Sequence, residues 1–355
     1  MRRAIKVKGY ELVNVLGIET SCDDTAAAVI TDGTIIKSNV VASQSDMHKK
    51  YGGIIPEIAS REHFTALIPV VNEALEQASM TYKNIDAIAV TNGPGLAGSL
   101  LIGVNSAKGL SMSWEKPLIG INHLEGHIYS AWLEDLEPDH KAGFPIVCLI
   151  ASGGHTDLVL MTGHLEYQLI GRTRDDAAGE AFDKAARVLG LGFPGGPEIQ
   201  KMSEEAKEEI LPLPRPEIKE SLDFSFSGLK TALVRRAESE GFYPILESNG
   251  PSHYQTTEYS FAFQEAVVDC LIRNTKKAVL ENNARAVILG GGVAANSRLR
   301  KRMNEIMDVP VFTPRPGLCT DNGAMIGAAA FFNLQNGLPS ELDMDAVPNL
   351  RIGLT

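Results

Sequence analysis

Val13-Asn14-Val15-Leu16-Gly17-Ile18, Glu19-Thr20-Ser21-Cys22-Asp23-Asp24-Thr25, Ala26-Ala27-Ala28-Val29-Ile30 and Thr31-Asp32-Gly33-Thr34 are, in order, an apolar run, a polar loop, a second apolar run and a tight turn. Short apolar runs bounded by turn residues read as strands, so this stretch predicts a three-stranded meander of Val13 to Ile18, Ala26 to Ile30 and a strand from Thr34 onward. The same order returns later. Pro145 to Ala151 reads as a strand, Ser152-Gly153-Gly154-His155-Thr156-Asp157 as a polar loop, Leu158 to Met161 as a strand, Thr162-Gly163-His164 as a turn and Leu165 to Ile170 as a strand. With 355 residues, 44% of them hydrophobic, the chain is long enough for two domains with their own cores. Helical stretches and further strands follow each meander, including Asp86 to Val90 and Ala286 to Leu289.

A meander followed by β/α units, used twice, resembles the actin, Hsp70 and sugar-kinase (ASKHA) class: an α/β fold of two duplicated domains with a cleft between them. In that class the first hairpins hold phosphates with hydroxyl and carboxylate groups at their tips. The expected division is residues 13–141 plus about 325–350 for one domain and 142–324 for the other, with 1–12 a flexible basic extension. Cys22, Cys148, Cys270 and Cys319 are dispersed and form no C-x-x-C pair, which argues against a disulfide framework or a cysteine zinc cluster and fits a reducing cytoplasm. The sequence shows no secretion signal and no membrane-length apolar run. Net charge is −11, from 33 Lys+Arg against 44 Asp+Glu, which opposes strong non-specific attraction to a phosphate backbone. A nucleic-acid substrate would need a partner to help hold it.

The loops differ in chemistry. Gly153 and Gly154 let backbone N–H groups approach an anion without a Cβ in the way, as phosphate nests require. Glu19, Asp23 and Asp24 in the first loop repel bare phosphate and suit a cation partner or a proton acceptor. Gly290-Gly291-Gly292-Val293-Ala294-Ala295-Asn296 follows a strand and leads into a helix expected from Ala294 to about Met307. A junction of that kind suits a nucleotide, although a triple glycine also serves as a simple turn. Glu247 to Thr257 reads as a polar loop punctuated by glycine and proline.

In Asn122-His123-Leu124-Glu125-Gly126-His127 two imidazoles lie four residues apart, on one face of a helix, where they can grip one metal ion. The same spacing also occurs on helix surfaces and in satisfied cores. In a zinc-peptidase H-E-x-x-H motif the glutamate directly follows the first histidine; Glu125 is displaced from that place. Asp321 has a structural explanation as the N-cap of the alanine-rich helix that follows it.

Taken together, Gly17 to Thr25, His123 to His127, Ser152 to Thr156, Asp176-Ala177-Ala178-Gly179-Glu180-Ala181-Phe182-Asp183-Lys184, Pro194-Gly195-Gly196-Pro197, Phe224-Ser225-Phe226-Ser227-Gly228-Leu229-Lys230, Gly290 to Asn296 and Asp321-Asn322-Gly323-Ala324-Met325 span nearly the whole chain. In these motifs and their order the chain resembles the tRNA N6-adenosine threonylcarbamoyltransferase family, once described as glycoprotein endopeptidases. The resemblance implies transfer of threonylcarbamoyl from threonylcarbamoyl-AMP to N6 of the adenosine 3′ of the anticodon, in tRNAs reading codons that start with A. It implies His123, His127 and Asp321 as ligands of one divalent metal, Fe(II) first, with Zn(II) or Mn(II) also tolerated. It assigns Ile150, Ala151, Ser152, Gly153, Gly154, Asp183, Gly196 and Asn296 to the adenylate substrate, and Glu19 to catalysis. Ala151 and His155 stand where archaeal and eukaryotic relatives carry tyrosine and asparagine, which is the bacterial pattern and implies fewer protein ligands on the metal. The implied partners are tRNA, a shorter paralogous subunit of the same fold and a small P-loop ATPase. The basic clusters Arg298 to Arg302 and Arg235-Arg236 are candidate phosphate contacts, or solvated helix faces. A metallopeptidase, a non-catalytic nucleotide-binding scaffold and a small-molecule kinase are the competing readings. The displaced Glu125 argues against the first, and the three implied metal ligands argue against the second.

Overall fold

The computed structural model describes residues 12–206, 213–246 and 249–353. Apart from Leu12, the expected 1–12 extension lies outside them. The first meander forms as β1 (Asn14–Glu19), β2 (Asp24–Thr31) and β3 (Ile35–Ser43), and is followed by β4 (Ala87–Gly93) and β5 (Leu118–Asn122). These make one five-stranded sheet in the order β3-β2-β1-β4-β5, antiparallel within the meander and parallel from β1 to β5. The second meander is β6 (Ile146–Ala151), β7 (Thr156–Gly163) and β8 (Glu166–Arg172). With β9 (Ala286–Gly290) and β10 (Val311–Phe312) it makes a second five-stranded sheet in the matching order β10-β9-β6-β7-β8.

The principal helices are α1 (Pro56–Gln77), α2 (Ala97–Trp114), α3 (His123–Tyr129), α4 (Ala178–Val188), α5 (Gly195–Ser203), α6 (Ser227–Ser239), α7 (His253–Glu281), α8 (Ser297–Ile306) and α9 (Gly323–Gln335). Two compact units result, one of residues 1–141, 163–166 and 320–355, the other of 142–162 and 167–319. Asp321 therefore belongs to the first unit, although the expected division placed it in the second. No helix of the described residues is long and apolar enough to cross a membrane.

In the first unit, Leu16, Ile18, Ala27 and Val29 pack with Leu67, Val71 and Ala74 of α1 and with Val104 and Ala107 of α2. The helix α9 lies against β1 at backbone distance: a Cβ on Gly17 would stand 2.3 Å from the Gly323 carbonyl oxygen and 2.5 Å from the Gly327 nitrogen. Only glycine permits that approach, and it brings the residues just before α9 to the ends of the strands.

Three boundaries differ from expectation. The helix expected from Ala294 begins at Ser297, after a 3-10 turn over Gly292–Ala295, because the Asn296 side chain caps it by accepting from the Leu299 amide at 2.9 Å. The polar Glu247 to Thr257 stretch, of which residues 247 and 248 lie outside the described residues, becomes helix at His253. There Ser252 and Gln255 form a reciprocal capping box that outweighs the local polarity. Asp321 is not a helix cap; Asn322 is, its side chain accepting from the Met325 amide at 3.0 Å.

Candidate functional site

The parallel strands β1, β4 and β5 end side by side, since Ile18 pairs with Val90 and Thr91 with Ile121. Glu19, Thr91 and His123 are thereby brought together at the C-terminal ends of these strands. Asn122 ends β5 and caps α3 by accepting from the Leu124 amide at 2.9 Å, so helical turning starts at His123 and sets His127 one turn on. The two rings lie edge to face with centroids 4.6 Å apart. The far end of α3 is held by Tyr129, which stacks on Phe332 at 4.6 Å and shares a 3.1 Å hydrogen bond with His164.

Because Asn322 caps α9, the Asp321 carboxylate is turned to the histidines: Oδ1 is 3.5 Å from His123 Nε2 and 3.3 Å from His127 Nε2. One donor atom from each of the three residues lies within 4.8 Å of the others. Two donors each about 2.1 Å from a common ion at a tetrahedral angle stand about 3.4 Å apart, so both Asp321 separations fit a shared divalent cation. Both imidazoles are buried, and apart from the Asp321 carboxylate near Nε2 no hydrogen-bond partner meets the His127 ring, so a cation at Nε2 would satisfy that nitrogen. Glu125 accepts from Asn333 at 2.8 Å and is not among the three converging donors, so it does not stand where the base of the peptidase reading would be needed.

Glu19 is completely buried. It accepts from the Ser21 amide and the Thr91 hydroxyl, and its Oε2 lies 3.2 Å from His123 Nδ1. Burial alone would raise this carboxyl, but the charge and hydrogen bond of His123 outweigh it and hold Glu19 below the usual carboxylate range. The reciprocal effect appears on His123, where burial disfavours the proton but Asp321 and Glu19 raise the imidazole to about 9. His127 is lowered, by burial first. Thr91 was missed at the sequence level; a lone threonine ending the apolar run Ala87 to Val90 just before Asn92-Gly93 was the available sign.

Asp24, at the start of β2, is raised by burial to about 7, and its Oδ1 has no hydrogen-bond partner. A carboxyl raised on folding binds its proton more tightly in the folded state, so its contribution to stability falls as pH rises from about 4 to about 7 and stays low above that. Asp24→Asn is expected to gain on the order of 2–4 kcal/mol relative to the native chain at pH 8, and to show no gain below pH 4. Urea unfolding of both proteins at several pH values tests this; a constant difference at every pH would remove Asp24 as the titrating group.

The expected adenylate residues all fall in the second unit. Ser152, Gly153 and Gly154 form the β6–β7 loop, in which the Ser152 amide donates to the His155 carbonyl at 2.8 Å. A Cβ on Gly153, Gly154 or Gly196 would meet nothing within 4 Å, so space lies open before each. Ile150 and Ala151 are buried strand residues, and the Ala151 carbonyl would lie 2.4 Å from a Cβ on Gly291, whose φ of +84° also calls for glycine. Asp183 accepts from the Gly195 amide at 2.7 Å, holding the start of α5 beside Gly196. Asn296 uses its oxygen on the Leu299 amide and its nitrogen on Gln264 at 2.8 Å, while Gln200 of α5 accepts from the Ser297 amide at 2.9 Å. Gln264 and Gln200, unmarked in the sequence, thus tie α7 and α5 to the start of α8.

The Arg298 to Arg302 cluster is largely an internal clamp. Arg298 grips Glu265 through two bonds of 2.7 and 2.8 Å, Arg302 pairs with Asp269, and Arg300 donates to the Ala294 carbonyl at 2.6 Å. Lys301, Arg235 and Arg236 remain exposed. Glu265→Ala is expected to cost on the order of 1–3 kcal/mol in denaturant unfolding, because it strips charged hydrogen bonds from two arginines. An unchanged midpoint would show the clamp to be idle.

Residues 35–328 match the family described as tRNA N6-adenosine threonylcarbamoyltransferase. The chain is similar to the protein of that name from Thermomicrobium roseum, 54% identical over 353 residues that cover 95% of this chain and 96% of the other. It is also similar to those from Dehalococcoides mccartyi, 50% identical with 96% and 99% covered, and Symbiobacterium thermophilum, 48% identical with 98% and 99% covered. Among solved structures it is similar to component A of the Acidaminococcus fermentans (R)-2-hydroxyglutaryl-CoA dehydratase, with TM-score 0.54, 14% identity and 91% and 99% of the two chains covered. Full-length HypF in its phosphate- and nucleotide-bound form gives TM-score 0.58 and 14% identity, covering 91% of this chain and 55% of that one. At such identities these two likenesses show the fold alone, which is the expected α/β class of actin and the sugar kinases.

Proposed function

Because this chain belongs to the tRNA N6-adenosine threonylcarbamoyltransferase family, we propose that it moves threonylcarbamoyl from threonylcarbamoyl-AMP to N6 of the adenosine 3′ of the anticodon, in tRNAs that read codons starting with A. The new bond joins N6 to the carbamoyl carbon, the bond from that carbon to the AMP phosphate oxygen breaks, N6 gives up a proton to water and AMP leaves with the electron pair. The observation that carries this reading is the convergence of His123, His127 and Asp321, in a chain of this family, to separations that suit one divalent ion.

His123, His127 and Asp321 would hold that ion, Fe(II) first among Fe(II), Zn(II) and Mn(II) for a donor set of two imidazoles and one carboxylate. Such an ion supplies positive charge to polarise the carbamoyl carbonyl or neutralise the departing phosphate. In the second unit, the Ile150 to Gly154 strand end and loop, together with Gly196, would offer backbone groups to the adenylate through the open space at their glycines. Asp183 and Asn296 would act by fixing the starts of α5 and α8, since both spend hydrogen bonds there.

The expected partners are tRNA, a shorter paralogous subunit and a small P-loop ATPase, and the expected compartment is the cytoplasm. Two features support dependence on partners. The net charge of −11 disfavours holding tRNA alone. Phe64 and Ile68 of α1 are 74% and 47% exposed, one helical turn apart, and suit an apolar protein contact. Lys301, Arg235 and Arg236 are the remaining candidates in the two basic clusters for tRNA phosphates.

Reconstitution tests the reading: unmodified tRNA, threonylcarbamoyl-AMP from its synthase, and this protein with the two partner subunits, followed by nucleoside mass spectrometry. Threonylcarbamoyladenosine is the expected product. Its absence, from components active with another family member, would overturn the assignment.

A further inference from the structure

Glu19 offers no face to a substrate. It has no exposed surface, and its carboxylate is engaged by the Ser21 amide, the Thr91 hydroxyl and His123. We infer that Glu19, fixed by Thr91, is a positioning residue for a metal ligand: it holds the His123 ring with Nδ1 as donor and Nε2 turned to His127 and Asp321. The inference rests on the metal reading above and gives Glu19 a different task from proton acceptance.

The tautomer follows from repulsion and reach. An Nδ1 lone pair set 3.2 Å from a carboxylate oxygen would face another lone pair, whereas Nδ1–H donates to it, and the Ser21 hydroxyl 3.1 Å from Nδ1 offers a second oxygen acceptor. In the neutral ring, the form that can bind a metal, a proton on Nδ1 leaves the single ring lone pair on Nε2, the atom 3.5 Å from Asp321 Oδ1. Histidine ligands ordinarily donate their other nitrogen to a carboxylate or carbonyl in this way, which fixes the ring and makes it a better donor. The strand register supplies the support: β1 and β4 are parallel neighbours paired at Ile18 and Val90, so the next residues, Glu19 and Thr91, stand side by side. Both are buried, and Thr91 donates its hydroxyl to the carboxylate and is not one of the three converging donors.

Co(II) titration of the full-length chain tests this, with visible absorption reporting coordination and a competing chelator giving affinity. Glu19→Gln and Thr91→Val, each checked by circular dichroism and thermal unfolding, are expected to weaken Co(II) binding, Glu19→Gln by about 10–100-fold and Thr91→Val by less. Thr91→Ser, which keeps the hydroxyl, is expected to restore native affinity and spectrum; a purely structural role for Thr91 would move the unfolding temperature without moving the spectrum. Unchanged Co(II) affinity in Glu19→Gln, with threonylcarbamoyl transfer lost all the same, would overturn the inference and return Glu19 to proton acceptance. Failure of the native chain to bind Co(II) would instead bring down the metal reading, and this inference with it.

Discussion

Replacing His123 and His127 together by alanine is expected to empty the chain of bound divalent metal and to lower threonylcarbamoyl transfer by at least about 100-fold, while the protein stays folded. The size follows from how the donors are delivered. Both imidazoles come from one short helix, and the third donor of the cluster belongs to Asp321, so the double variant leaves one of the three donors. One carboxylate does not retain a divalent ion against water, and any charge the proposed ion would lend the reaction goes with it. Metal content by elemental mass spectrometry and threonylcarbamoyladenosine by nucleoside mass spectrometry give the two readouts. Loss of metal with native transfer would show that the ion takes no part in the reaction. Loss of transfer with metal retained would move the site elsewhere in the chain.

The parts of this arrangement visible in the sequence are those set by local rules. Strands β1, β2, β6 and β7 announce themselves as apolar runs cut by polar loops, and His123 and His127 share a face because any helix places i and i+4 together. Asp321 is a different case. Asp321 and Asn322 are adjacent and chemically equivalent as helix caps, so local sequence cannot say which of them caps α9 and which turns to the histidines; the family resemblance alone pointed to Asp321. The long helix α7 escaped notice because it is buried on nearly every side, from Thr256 through Thr275, and shows no single apolar stripe to give a helical period. Arg298 to Arg302 looked like a surface charge cluster because Glu265 and Asp269, which neutralise it, are carried by a different helix. Thr91 became meaningful only when the register set it beside Glu19.

The dependence of Asp321 on tertiary placement leads to a second large effect, at Gly17, which lies outside the candidate metal cluster. Gly17→Ala is expected to destabilise the chain by about 1–3 kcal/mol or more and to weaken Co(II) binding in the fraction that remains folded. The added methyl would sit 2.3 Å from the Gly323 carbonyl oxygen and 2.5 Å from the Gly327 nitrogen. Both are backbone atoms of α9, so no side-chain rotation relieves the clash and the helix must move off the sheet. Gly323 follows Asp321 by two residues, and that movement carries the carboxylate away from His123 and His127. Gly109→Ala is the control: this exposed position within α2 has no heavy atom within 4 Å of an added Cβ, and alanine there favours the helix by up to about 1 kcal/mol. Urea unfolding followed by circular dichroism, paired with Co(II) titration, separates the outcomes. If Gly17→Ala lowers stability but binds Co(II) with native affinity, α9 yields at its far end and the first turn holds Asp321 independently. If both fall together, the glycine contact between β1 and α9 is what sets Asp321, the third proposed metal ligand, in place.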